Sequence, residues 1–314
     1  MATPTSSTQP RAGGRPAPFG QLLVAMVTPF LPGGDLDVDG AATLANHLVD
    51  AGCDGLVISG TTGESPTTTD EEKERLLHAV IEAVGERAQV LAGVGTNDTR
   101  HTVELAQAAE KAGADGLLVV TPYYSKPPQE GLLAHFRAVA DATGLPAMLY
   151  DIPGRTGAPI ATETLVRLAE HERIVAVKDA KDDLAASSWV LARTDLAYYS
   201  GTDMLNLPLL AIGGVGFVSV VGHLFAPELV ALKDAYAAGD VERAAQLNRQ
   251  LLPAYAGFFR TQGVITVKAA LRMLGLPAGP VRPPLVDATA EQAAQLRHDC
   301  RAAGFNGDFS EQLV

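Results

Sequence analysis

Asp54-Gly55-Leu56-Val57-Ile58-Ser59 runs straight into Gly60-Thr61-Thr62-Gly63-Glu64-Ser65. The first half is short and apolar, the pattern of a strand buried on both faces. The second half offers two glycines and three hydroxyl side chains where that strand ends, a composition that lets backbone N–H groups gather around an anion. Helical spacing follows over Glu71–Val84, so the unit is strand, polar loop, helix. A buried strand followed by a helix is the building block of a parallel sheet.

The unit recurs. Apolar runs at Leu22–Val27, Gly55–Ser59, Gln89–Val94, Gly116–Val120, Ala147–Tyr150, Ile174–Val177, Ala197–Ser200 and Gly216–Val220 predict eight strands. Amphipathic stretches such as Thr102–Ala112 lie between them, and Gly52, Gly85 and Gly113 stand where helices stop. Asp70 is expected to cap the helix beginning at Glu71, without a full capping box because Lys73 stands three positions on. Eight such units predict an α/β fold, a (β/α)8 TIM barrel. A doubly wound sheet is the alternative, but it needs a topological switch point and usually fewer strands. Beyond Gly222 no strand run remains, and Pro227–Ala238, Val241–Phe259, Val264–Leu274 and Thr289–Ala303 have helical character. The expected organisation is a disordered tail over 1–18, rich in Pro, Ser, Thr and Gly, a barrel over 19–240 and a C-terminal helical segment over 241–314.

Bulk properties narrow the function. The chain has 314 residues, 47% of them hydrophobic, enough for a large core. A formal net charge of −12 argues against a nucleic-acid partner, which needs a basic face. The apolar runs are too short to span a bilayer, and no basic run suggests a membrane surface. The N-terminus has no apolar core segment and is not a secretory signal. Cys53 and Cys300 form no disulfide framework and sit at no metal-ligand spacing, which fits a reducing compartment, the cytoplasm. No metal site or bound cofactor is expected.

A barrel carries its chemistry at the C-terminal ends of its strands. That rim collects the Gly60–Ser65 loop, Thr121-Pro122-Tyr123-Tyr124, Tyr150 with the following Asp-Ile-Pro-Gly-Arg-Thr-Gly, Lys178, Gly201-Thr202-Asp203, and Phe217-Val218-Ser219. Lys178 ends the apolar run Ile174–Val177. There an ammonium loses hydration, its pKa falls, and the free amine becomes a nucleophile able to form a Schiff base with a carbonyl. Snorkelling, or pairing with Asp179, is the bland alternative. Tyr150 is a phenol at a neighbouring strand end, a proton carrier or a core tyrosine with a satisfied hydroxyl; Tyr124 has the same two readings. Thr61 and Thr62 are anion ligands or turn formers. Arg155 grips a carboxylate or is a surface charge. The Gly60–Ser65 loop is no P-loop, since no Lys-Ser/Thr follows at the required spacing, so a carboxylate is the better anion.

Other motifs fall away. Asp35-Leu36-Asp37-Val38-Asp39-Gly40 resembles the start of a calcium loop, but its twelfth position is Asn46 rather than Glu, so a polar loop is expected. The histidines form no HExxH pair. Gly213–Gly216 precedes a strand, whereas a dinucleotide loop follows one. Trp189 is expected to pack a helix.

Six motifs, in order, resemble the family of Schiff-base-forming pyruvate lyases and synthases: "GTTGES" at 60–65, "VVTPYYSKPPQEGL" at 119–132, "YDIPGRTG" at 150–157, "VAVKDA" at 175–180, "YYSGTD" at 198–203 and "VKAALRMLG" at 267–275. They extend over roughly Gln21 to Gly275. The resemblance implies that Lys178 forms an imine with pyruvate. It implies a proton relay of Tyr150, Thr62 and Tyr124, with Tyr124 reaching into a neighbouring subunit. Thr61, Thr62 and Gly63 would cradle the pyruvate carboxylate, Arg155 would take the carboxylate of a second substrate, and Val218 would turn a main-chain carbonyl to the site. The branch it points to condenses pyruvate with L-aspartate 4-semialdehyde in diaminopimelate and lysine biosynthesis, with no cofactor beyond the covalent imine, as a homotetramer of tight dimers.

The resemblance also has departures. Lysine-inhibited members often carry two histidines in the helix after GTTGES; here Asp70 and Lys73 stand near those places, so lysine feedback is not implied. Asp151 follows the tyrosine where many members have Asn, with its side chain expected to point away from the site. Sister enzymes, an N-acetylneuraminate lyase or a keto-deoxy-sugar-acid aldolase or dehydratase, would share Lys178 and Tyr150; the double threonine and Arg155 favour the synthase. A non-catalytic keto-acid-binding regulator would be expected to have lost Lys178 or Tyr150, and both are present.

Overall fold

The computed structural model describes residues 15–309. Residues 1–14 of the expected tail lie outside the described residues. Eight parallel strands close into one barrel in sequence order: β1 (Leu22–Ala25), β2 (Gly55–Ile58), β3 (Gln89–Gly93), β4 (Gly116–Val120), β5 (Ala147–Asp151), β6 (Ile174–Asp179), β7 (Ala197–Ser200) and β8 (Gly216–Ser219). All eight stand where the apolar runs placed them. The main difference is at β5 and β6, which continue through Asp151 and Asp179, so Lys178 lies within a strand rather than just after it.

Helices α1 (Val38–Asp50), α2 (Asp70–Val84), α3 (Thr99–Ala112), α4 (Gln129–Asp141), α5 (Pro153–Thr156), α6 (Thr162–Leu168), α7 (Leu184–Leu191), α8 (Asn206–Ala211) and α9 (Gly222–Ala237) alternate with the strands. Three more, α10 (Val241–Phe258), α11 (Gly263–Met273) and α12 (Ala290–Ala302), follow, with α10 packed on α9 and α12. No described helix is long and apolar enough to cross a membrane.

The alternation of side chains along each strand separates two cores. Leu23, Ala25, Val57, Leu91, Leu118, Met148, Tyr150, Ala176, Tyr199 and Val218 fill the barrel interior. Val24, Leu56, Val90, Leu117, Leu149, Val177 and Phe217 face outward onto the helices. Closure between β8 and β1 depends on close backbone approach: a Cβ on Gly216 would lie 2.1 Å from the Gln21 carbonyl oxygen, which accepts the Phe217 N–H at 2.8 Å. At the N-terminal end the Tyr199 hydroxyl donates to the Gly20 carbonyl (2.9 Å), shutting the interior below the site.

Three local expectations are corrected. Thr69, not Asp70, caps α2, and the capping box is complete: Thr69 Oγ1 accepts from the Glu72 N–H and Glu72 accepts from the Thr69 N–H. The calcium-like stretch is not simply a loop, because Asp37 caps α1 by accepting from the Gly40 N–H, and Val38, Asp39 and Gly40 form its first turn. Trp189 does not pack the helix it sits on; its side chain is 66% exposed on α7.

Candidate active site

Lys178 continues the inward row begun by Ala176 on β6, and Val177 and Asp179 alternate outward. Its strand neighbours in register are Tyr150 on β5 and Tyr199 on β7. Lys178 is 4% exposed, and its Nζ lies 4.2 Å from the centroid of the Tyr150 ring. Asp179 is not its partner: that carboxylate faces outward and accepts from Ser187 Oγ and from the Lys181 N–H. Burial pulls the Lys178 pKa down to about 7, Asp203 opposes the shift, and Arg155 adds to it. Neutral amine, the nucleophilic form, is therefore abundant at neutral pH.

Gly201 keeps the space over the lysine stem open. It bonds through its N–H to the Asp179 carbonyl (2.7 Å), and a Cβ there would meet Lys178 Cγ at 3.0 Å. Burial raises the Tyr150 pKa to about 12, with Arg155 and the Thr61 side chain acting in the opposite direction, so the phenol stays protonated. Of the two loop threonines, Thr61 is the one whose side chain acts on the phenol.

The loop after β2 is bracketed by two non-glycine residues in the left-handed region, Ser59 (φ 58°) and Glu64 (φ 55°). Its own turn uses the Glu64 N–H (to the Thr61 carbonyl, 3.1 Å) and the Ser65 N–H (to the Gly60 carbonyl, 3.3 Å). The N–H groups of Thr61, Thr62 and Gly63 have no acceptor among the described residues. Free donors of this kind, gathered in a turn, are what an anion needs. Gly63 is close-packed: a Cβ would lie 3.2 Å from the Met26 carbonyl oxygen and from Ser59, and its own carbonyl accepts the Thr28 hydroxyl at 2.6 Å.

The remaining expected residues lie around this centre. Arg155 is exposed on the short helix α5, and its charge acts on both Lys178 and Tyr150. Val218 is fully buried on β8, in register with Leu23 on β1. Tyr124 stands apart: its side chain is 90% exposed and its backbone is left-handed (φ 71°). Asp151 faces outward, paired with Lys181 at 3.4 Å and accepting from the Ile160 N–H.

Asp203 acquires a role that the sequence did not give it. This carboxylate, 2% exposed, accepts from Ser219 Oγ (2.5 Å), the Val220 and Val221 N–H groups (2.9 and 3.1 Å) and Asn206 (3.1 Å). It is the carboxylate that most favours the charged form of Lys178. Only its place after β7 was legible; its partners come from β8 and α8.

The model of the dihydrodipicolinate synthetase family matches residues 18–303. The chain is 74% identical over 297 residues to the 4-hydroxy-tetrahydrodipicolinate synthase of Acidothermus cellulolyticus, covering 95% of this chain and 96% of that one. It is 64% identical over 301 residues to 4-hydroxy-tetrahydrodipicolinate synthase 2 of Streptomyces coelicolor, covering 96% of this chain and 98% of the relative. Its fold is similar to that of the dihydrodipicolinate synthase from Cyanidioschyzon merolae solved with lysine bound, with a TM-score of 0.90, 43% identity and coverage of 92% and 99% of the two chains.

Proposed function

We propose that pyruvate and L-aspartate 4-semialdehyde meet on Lys178 of this chain, which belongs to the dihydrodipicolinate synthetase family and whose activity is that of a 4-hydroxy-tetrahydrodipicolinate synthase, a lyase. The observation that carries the assignment of residues is a buried lysine with a pKa near 7, beside a protonated phenol and a loop of free N–H donors.

In this reading the Lys178 amine adds to the keto carbon of pyruvate, and loss of water gives the imine. Loss of a methyl proton gives the enamine, whose carbon attacks the aldehyde of the second substrate; the aldehyde oxygen becomes the product hydroxyl. The amine of that substrate then adds to the imine carbon and expels Lys178, which closes the ring. Tyr150 moves protons, with the Thr61 hydroxyl as its neighbour in the relay in place of the expected Thr62, while the N–H groups of Thr61, Thr62 and Gly63 form the carboxylate cradle. Arg155, exposed at the mouth, takes the carboxylate of the semialdehyde. Val218 contributes a main-chain carbonyl. The covalent imine supplies the electron sink, and the route drawn uses no metal or organic cofactor.

Tyr124 supports a homotetramer built from tight dimers: a tyrosine 90% exposed on the site rim suits a neighbouring subunit better than its own. The two free, buried thiols Cys53 and Cys300 support a cytoplasmic setting. The reading is tested by supplying pyruvate with L-aspartate 4-semialdehyde and following formation of the cyclic product. Turnover is expected with that aldehyde, and cleavage of N-acetylneuraminate without it would move the chain to the sister activity.

A further inference from the structure

Glu64 is the last residue of the loop after β2 and plays no part in the chemistry above. Its backbone is left-handed (φ 55°, ψ 37°), a conformation that glycine, Asn and Asp adopt more readily than glutamate. Its side chain nonetheless is 1% exposed and leads to the C-terminal helices. One carboxylate oxygen lies 2.6 Å from Lys268 Nζ on α11, and the other accepts the Arg282 backbone N–H at 2.8 Å.

Lys268 is fully buried. It also donates to the Pro280 carbonyl (2.8 Å) and lies 4.1 Å from the Phe30 ring centroid. The Arg282 guanidinium sits 4.0 Å from the same ring, donates to the Gly34 and Thr67 carbonyls, and pairs with both oxygens of Glu72. The loop, the first turn of α2 and the C-terminal segment are thus joined in one polar network, fully buried at Glu64 and Lys268 and part-buried at Arg282 and Glu72. An apolar contact would hold these elements together at lower desolvation cost. A charged pair instead fixes direction, and it does so at the residue next to Gly63.

We propose that Glu64 and Lys268 are positioning residues whose buried ion pair ties the loop to α11 and keeps the N–H groups of Thr61, Thr62 and Gly63 aimed at the pyruvate carboxylate. This rests on the reading of that loop as the carboxylate cradle, and it gives the "VKAALRMLG" motif of the C-terminal segment a task at the site.

The test uses the full chain and two variants. Glu64→Asp keeps the charge and suits the left-handed backbone, but its carboxylate is one methylene short of Lys268. Glu64→Gln combined with Lys268→Met removes both charges, so no unpaired ammonium is left to unfold the protein. For both, thermal midpoint, kcat and the KM for each substrate are measured, and the wild type is incubated with pyruvate and borohydride. The expected result is a folded Glu64→Asp protein with a pyruvate KM raised about tenfold and a semialdehyde KM within about twofold of wild type. The double variant, once folded, shows the same split. A turn former alone predicts no loss in Glu64→Asp, so an unchanged pyruvate KM in that variant overturns the proposal while the pyruvate reading stands. A wild type that traps no pyruvate on Lys178 overturns the cradle and the clamp with it.

Discussion

Lys178 and Tyr150 are partners in register on adjacent strands, with the amine nitrogen 4.2 Å from the centroid of the phenol ring. Burial acts on them in opposite senses, lowering the lysine to about pH 7 and raising the tyrosine to about 12. At neutral pH the pair therefore offers a free amine beside an intact O–H donor, the two protonation states that imine formation requires.

Tyr150→Phe keeps the ring over the amine and removes only the hydroxyl. It is expected to lower kcat by about 10² to 10⁴ with little change in thermal midpoint, as steady-state kinetics and calorimetry would register. An equal fall in activity and stability would make Tyr150 a packing residue.

The pH dependence follows from the lysine. Imine formation should rise with pH up to about 7 and then level off, as the free amine becomes the main form. Asp203 favours the ammonium and Arg155 opposes it, so Asp203→Asn should move the midpoint to lower pH and Arg155→Gln to higher pH. Stopped-flow rates of pyruvate binding across pH 5 to 10 check both signs. The stability linkage has its own sign: between the folded value of about 7 and the ordinary lysine value of 10.5, the unfolded chain binds more protons, so stability rises with pH across that window. Replacing the lysine by Met should flatten that rise.

The barrel was legible because its signal is local. Each strand is a short apolar run closed by a polar loop, and the runs Gly116–Val120 and Ala197–Ser200 match β4 and β7 end to end. Lys178 and Tyr150 were legible for the same reason, as polar residues ending such runs. What escaped depends on partners distant in sequence. Glu64 meets Lys268, and Asp203 meets Ser219 and Asn206, only after the barrel closes. Thr61 rather than Thr62 acts on the phenol, a distinction between adjacent like residues that composition does not carry. At the start of α2 the signal lies in Thr69-x-x-Glu72, one residue before Asp70.

Tyr124 gives a prediction that separates shared from self-contained sites. Tyr124→Phe and Lys178→Met should each be nearly inactive alone. Mixed assemblies of the two should regain part of the activity, because some sites then combine an intact Lys178 with a partner's intact tyrosine. Native mass spectrometry would report the mixed assemblies, and absence of any regained activity in them would place Tyr124 outside a neighbour's site.

Asp151→Asn should leave kcat and both KM values within about twofold, because the side chain faces outward and Asn can still accept the Ile160 N–H. Burial raises the Asp151 pKa to about 6, so stability contributed by this group falls as pH rises from 3.8 to about 6. Chemical denaturation at pH 5 and pH 8 should show a smaller difference between the two pH values in the Asn variant.

The central claim is the covalent bond between Lys178 and pyruvate. Incubating the protein with pyruvate and borohydride, then mapping peptides by mass spectrometry, tests it directly. The account predicts a reduced pyruvyl adduct on the peptide containing Lys178 and none in Lys178→Met. An adduct on another lysine, or no adduct in an active wild-type enzyme, would contradict it.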